Sequence, residues 1–175
     1  MTPLTAAMPP SLHPVITIGD TTIAFDWQSD RWGHRVTIDG RLVAESVEGP
    51  DSGAGDPRWP ASPVLTEVTP ATAGGRPAIV GVGLAGRSHF SASFAPHPTL
   101  ADTVLVEIAC RVQEPPVWLG STYRAADGRL VRMVASHTAA GGLPRTIQWS
   151  YLCGSRGIVA ATGAACDPPA DASHF

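Results

Sequence analysis

At 175 residues and a formal net charge of −3, the chain has the length of a single domain. Eighteen glycines, seventeen prolines and 15% charged residues describe a turn-rich folded protein, because disorder goes with few large aliphatics and a high net charge. All twelve basic residues are arginines, scattered along a chain of pI ≈ 6.0, which excludes the clustered basic face of a nucleic-acid-binding protein.

In the middle of the chain the longest stretch free of charged and strongly polar residues, 78–86, is too short to span a bilayer, which takes about 20 residues. The opening MTPLTAAMPPSLHP has neither the basic n-region nor the apolar stretch of a secretory signal. A cytoplasmic protein is expected, or a secreted one where an upstream signal has been removed. A fold of this length buries roughly 70% of its unfolded surface and needs neither disulfides nor metals.

Residues 1–13 are Pro-rich and aperiodic and read as a flexible N-terminal segment; residues 163–175 read as a flexible C-terminal tail, leaving 14–162 as one domain. Within it, PVITIG (14–19) and TTIAFDW (21–27) meet across Gly19-Asp20, and HRVTI (34–38) and RLVAESV (41–47) flank Asp39-Gly40. Asp-Gly between alternating apolar runs is a strong hairpin signal, since a type I′ turn needs positive φ at both central residues. The letters DGRLV recur at 127–131, which predicts a second hairpin on the same turn.

Residues 48–63 form a long loop, followed by strands at 64–68, 77–84, 88–95, 103–112, 129–136 and 146–153 and a weaker one at 158–162. About ten strands with turn residues between them, and little or no helix, predict an all-β, two-layer antiparallel β-sandwich resembling a jelly roll.

Alternation assigns faces. Along 103–112, Val104, Val106, Ile108, Cys110 and Val112 face one way and Leu105, Glu107, Ala109 and Arg111 the other. Along 88–95, Phe90, Ala92 and Phe94 point inward, leaving His89, Ser91 and Ser93 outside with Arg87 leading into them. Ile147, Trp149, Tyr151 and Cys153 are the inward set of 146–153.

Several strings invite a chemical reading. Gly81-Val-Gly-Leu-Ala-Gly86 spells the dinucleotide fingerprint, but that site needs a helix to open at the turn. RSHFSASFAPHP follows instead and alternates with period two. The glycines are expected in a strand whose backbone is closely approached, or at a bulge. Ser88 and His89 lie on opposite faces, so they form no nucleophile–base pair.

Cys110 reads as a core thiol. Cys153 and Cys166 would pair only in an oxidising compartment, and three reduced thiols are the default. Neither the cysteines nor His89, His97 and His137 show metal-ligand spacing, so no metal and no cofactor is expected. In Asp30-Arg-Trp-Gly-His-Arg35, Trp32 and His34 fall on the core side and Arg31 and Arg35 on the wet side. The same cluster would also serve as a rim for a polar ligand. Glu114–Arg124 is expected as a loop, because Pro115-Pro116 blocks ladder hydrogen bonds. Its Trp118 and Tyr123, with Trp59 of the 48–63 loop, are either lids on the core or platforms for stacking a sugar.

Three readings of function follow. The first is a non-catalytic sandwich that binds a ligand or partner, a glycan or a protein, through Trp59, Trp118 and Tyr123 with Arg87, His89, Arg111 and His34. The second is a carbohydrate-active enzyme on a jelly-roll-type sandwich using His and Glu as acid and base. The third is a structural or assembly subunit that packs on copies of itself, for which a 15% charged fraction leaves an apolar surface.

Overall fold

A computed structural model describes residues 13–49, 56–135 and 142–161 of the chain. Apart from His13, the expected flexible ends lie outside the described residues, as do His137 and Cys166. Two six-stranded antiparallel sheets form a sandwich, and there is no helix among the described residues. The first sheet holds β1 (Val15–Ile18), β2 (Thr21–Gln28), β3 (Arg31–Ile38), β4 (Arg41–Ser46), β9 (Gly120–Ala125) and β10 (Leu130–Val134), in the order β1-β2-β3-β4-β9-β10.

The second holds β5 (Glu67–Ala73), β6 (Arg76–Ala85), β7 (Ser88–Pro96), β8 (Val104–Val112), β11 (Arg145–Gly154) and β12 (Gly157–Ala160), in the order β12-β11-β8-β7-β6-β5. Each sheet is therefore a four-stranded meander extended by one later hairpin. The two layers match the expectation; the connections are meanders.

Period-two patterning builds the core. Ile23, Phe25 and Val36 of the first sheet meet Phe94, Val104, Val106, Ile108 and Tyr151 of the second, all buried. Burying each such side chain fully contributes about 1.5–3 kcal/mol. Turn chemistry then fixes the register. Asp39 and Gly40 have φ of 50° and 70°, the type I′ turn expected between β3 and β4, where Ile38 pairs with Arg41.

The second DGRLV turns differently. Arg124 pairs with Leu130 and the Ala125 N–H donates to the Arg129 carbonyl, so three residues form the loop, with Gly128 at φ 86°. A two-residue turn on Asp127-Gly128 would set Arg132 opposite the buried Tyr123. The observed register sets Val131 there instead and keeps the guanidinium out of the core.

Three boundaries depart from expectation. The 114–124 stretch is a loop only through Leu119; β9 begins at Gly120, beyond the reach of the two prolines. Glu67–Ala73 pairs with β6 as an edge strand carrying Pro70, a residue that edges tolerate. Val64 and Leu65, expected in a strand, instead lie buried between the layers: the Trp32 N–H donates to the Leu65 carbonyl and the Thr66 N–H to the Val82 carbonyl.

That insertion explains the glycine string. A Cβ on Gly81 would lie 3.1 Å from the Leu65 side chain, and one on Gly83 would overlap the Val64 carbonyl oxygen. The expected close approach is thus found at both glycines, by a side chain at Gly81 and by backbone at Gly83. Gly83→Ala should lower stability by about 1–3 kcal/mol, read as a fall in the urea midpoint. Gly142→Ala, whose Cβ meets nothing within 4 Å, should stay within about 0.5 kcal/mol of wild type. Equal effects at the two positions would refute this reading.

Candidate functional site

The aromatic residues singled out from the sequence divide by location. Trp59 and Tyr123 are buried, and Trp118 is half-buried against the core with its indole N–H donating to the Ala61 carbonyl at 3.3 Å. Trp59 and Tyr123 belong to the core cluster and Trp118 packs against it. Tyr123 stands on β9 rather than on a loop, because its position in the alternation points it between the sheets.

There it joins a polar spine. His34 Nε2 lies 2.6 Å from the Tyr123 hydroxyl, which lies 2.8 Å from that of Tyr151, and the Trp149 indole N–H donates to Ser121 Oγ at 2.9 Å. Phe94 packs edge-on to His34, with ring centroids 5.2 Å apart. Burial pushes the His34 imidazole down to about 3 and raises both tyrosines well above the usual phenol range. His34 Nδ1 is shielded from solvent and has no hydrogen-bond partner among the described residues. The imidazole is a neutral core group. Cys110 and Cys153 are likewise buried, neither joined in a disulfide among the described residues, and burial pushes both thiols up to about 12.

Below His34 the first sheet opens into a polar hollow of about 320 Å³, where Glu48 lies against Gly33 and Ser46 and is flanked by Asp26, Arg35 and Glu45. The His34 N–H donates to Ser46 Oγ at 2.8 Å, and Ser46 donates to Glu48 Oε1 at 2.6 Å. Burial pushes the Glu48 carboxyl up to about 7, against the lowering effects of the Ser46 hydrogen bond and of Arg31. Sequence reasoning missed Glu48 because the chain leaves its ladder just after Ser46, where alternation says nothing.

His89 and Arg111 come together elsewhere, on the outer face of the second sheet. Cross-strand register there sets up three rows on one surface. Leu84, His89, Arg111 and Thr146 form the first; Val82, Ser91, Ala109 and Gln148 the middle; Val80, Ser93, Glu107 and Ser150 the third. Arg87 is exposed at the β6–β7 turn beside the first row.

Small residues on β7 and β8 make a trough between the β6 side chains and Gln148, with hollows of about 510 and 470 Å³ that share Val82, Ser91 and Ala109. Val80, Val82 and Leu84 are 43%, 49% and 54% exposed. Glu107 receives a long contact of 3.4 Å from Ser93 Oγ, while the side chains of His89 and Arg111 have no hydrogen bond or ion pair among the described residues. His34, Trp59, Trp118 and Tyr123 are thus separated from Arg87, His89 and Arg111 by the thickness of the second sheet.

The sequence did hold a signal for the aliphatic ridge. In Val80-Gly-Val-Gly-Leu84 the glycines take the inward phase, which leaves the apolar side chains outside. Among the described residues no group of three His, Cys, Asp or Glu is arranged to hold a metal, and no helix is long and apolar enough to cross a membrane. Comparisons with protein-family models, with curated proteins and with solved structures found no match to this chain. The protein is a two-layer antiparallel β-sandwich with a shallow, half-apolar trough on one outer face.

The two buried titratable groups set opposite pH dependences. His34 is held below its ordinary 6.5, so the unfolded chain binds the extra proton and stability is lost as pH falls from about 6.5 towards 3. Glu48 is held above its ordinary 4.5, so stability is lost as pH rises from about 4.5 through 7. Urea titrations should show Glu48→Gln gaining on wild type by on the order of 1–3 kcal/mol more at pH 8 than at pH 5, and His34→Gln weakening the acid-side loss. A variant that tracks wild type at every pH would exclude its residue as the source.

Proposed function

We propose that this chain is a non-catalytic binding module that docks a protein partner on the outer face of its second sheet. The observation that carries the reading is the ridge of Val80, Val82 and Leu84, each close to half exposed, beside a trough floored by Ser91, Ser93 and Ala109. Neighbouring exposed aliphatics with polar side chains around them characterise an interaction surface.

Arg111 and His89 at one end, whose side chains have no partner among the described residues, and Glu107 at the other supply the charges that orient a partner. Carbohydrate binding is the finer alternative from the sequence. Its support weakens because Trp59, Trp118 and Tyr123 are engaged with the core, and the residues of the three rows include no Trp, Tyr or Phe ring for stacking a sugar. The acid–base alternative loses support as well, because both nitrogens of His34 are turned into the protein.

A photo-activated cross-linking residue at Ala109 tests the reading in cells that express the chain, with Thr17 on the outer face of the first sheet as control. Cross-linking to a polypeptide from Ala109 and not from Thr17 is expected. Equal cross-linking from both, or none from Ala109, removes the reading. A melting-temperature rise with oligosaccharides that Ala109→Arg abolishes would replace a protein partner with a glycan.

A further inference from the structure

We propose that the partner is a second copy of this chain, the two outer faces of the second sheets meeting about a two-fold axis that runs along the row Val82–Ser91–Ala109–Gln148. The proposal rests on the docking face assigned above and adds its occupant.

The three central rows are self-complementary. A two-fold axis in the interface, parallel to the middle row, exchanges the other two rows while leaving each strand over its own copy. Arg111 then faces the partner's Glu107, and Glu107 the partner's Arg111, because both stand on β8 two residues either side of Ala109. On β6, Leu84 faces the partner's Val80 and Val82 meets the partner's Val82. On β7, His89 faces the partner's Ser93. On β11, Thr146 faces the partner's Ser150.

Within these three rows of β6, β7, β8 and β11 each contact therefore joins aliphatic to aliphatic, polar to polar or opposite charges. An isologous interface requires this of one patch. On the edge strand β5, Glu67, which pairs with Val82, meets its own copy at the end of the axis. The small Ala109 and Ser91 leave a depression on the axis in each face, so no bulky side chain holds the two sheets apart there.

The area is adequate. Six strands about 4.8 Å apart, and nine residues long at about 3.3 Å each in β7 and β8, give a face of roughly 700 Å². A standard interface takes about 800 Å² per partner.

The decisive experiment is sedimentation and light scattering on the full chain with charge-reversed variants at two exposed positions, their folding checked by thermal melting. Wild type is expected at twice the chain's 18.2 kDa. Arg111→Glu and Glu107→Arg should each weaken the dimer at least about tenfold, since each sets like charges face to face twice.

An equimolar mixture of the two variants should restore the dimer, because both cross-subunit contacts then join an acidic side chain to a basic one. The double variant should restore it for the same reason. Val82→Arg, on the axis, should dissociate the dimer without rescue by either.

A wild-type chain that sediments as a monomer at every concentration overturns the proposal. So does a dimer that both reversals leave unchanged, or one that mixing fails to restore. If the chain is monomeric while Ala109 still cross-links to another polypeptide, the docking face stands and only its occupant was wrong; with no cross-link from Ala109, both fall.

Discussion

One backbone contact governs much of this molecule: the passage of Val64 and Leu65 between the two sheets. Those residues occupy the place where inward side chains of β6 would otherwise pack, so Gly81 and Gly83 have to stand there. A strand has two faces, and emptying one fixes the content of the other. The Val and Leu side chains that give β6 its strand character are then carried outward as a ridge. The segment that closes the core on the inside thus creates the exposed apolar surface on the outside.

The same economy appears in the core. A β-sandwich of this size could be filled with aliphatics alone, yet His34, Tyr123, Tyr151, Trp149 and Ser121 bring polar atoms into it and satisfy most of them with one another. A buried polar atom without a partner costs about 1–3 kcal/mol, so each member of the spine constrains the positions of the others. Register follows from this. Tyr123 reaches His34 only if β9 pairs with β4 as observed, with Tyr123 opposite Ser46. Glu48 lies at the end of a branch of that network through Ser46. Its carboxyl and the His34 imidazole respond to pH in opposite senses, so between about pH 4.5 and 6.5 one offsets the other.

How far the sequence announces all this depends on which interaction decides a given element. Where period-two patterning decides, as in β2, β7, β8 and β11, the faces of Phe25, Phe94, Val106 and Trp149 are legible directly. The Asp39-Gly40 turn is legible because its backbone angles admit few residues. The Gly81–Gly86 string is legible as a close approach, though not what approaches.

Elements decided by distant contacts escape. DGRLV at 127–131 makes a longer turn than its twin because of what Arg132 would otherwise face. The aromatic residues of the 56–66 and 114–124 stretches could not be assigned to core or solvent without knowing that these segments close the same sandwich. Of the site residues read from the sequence, Arg87, His89 and Arg111 lie on one outer face, since alternation determines it. His34, Trp59, Trp118 and Tyr123 went elsewhere, since packing determines them.

A sheet protein can associate through its edges or its faces, and here the edges are closed. β1 and β12 are four residues long and β10 five, while the longer β5 carries Pro70 in its middle. Short strands and prolines are the devices that stop strand addition. The faces differ from each other. The outer face of the first sheet carries Asp26 paired with Arg35, and Arg35 opposite Glu45 opposite Arg124, charges that compensate within one copy. On the second sheet Arg111 and Glu107 lie on one strand with Ala109 midway between them, about 13 Å apart along the chain direction, too far to compensate each other directly. Charges satisfied internally add little to association. Charges held apart beside exposed aliphatics are best compensated from outside, and the proposed two-fold axis would supply that compensation with the residues this chain already has.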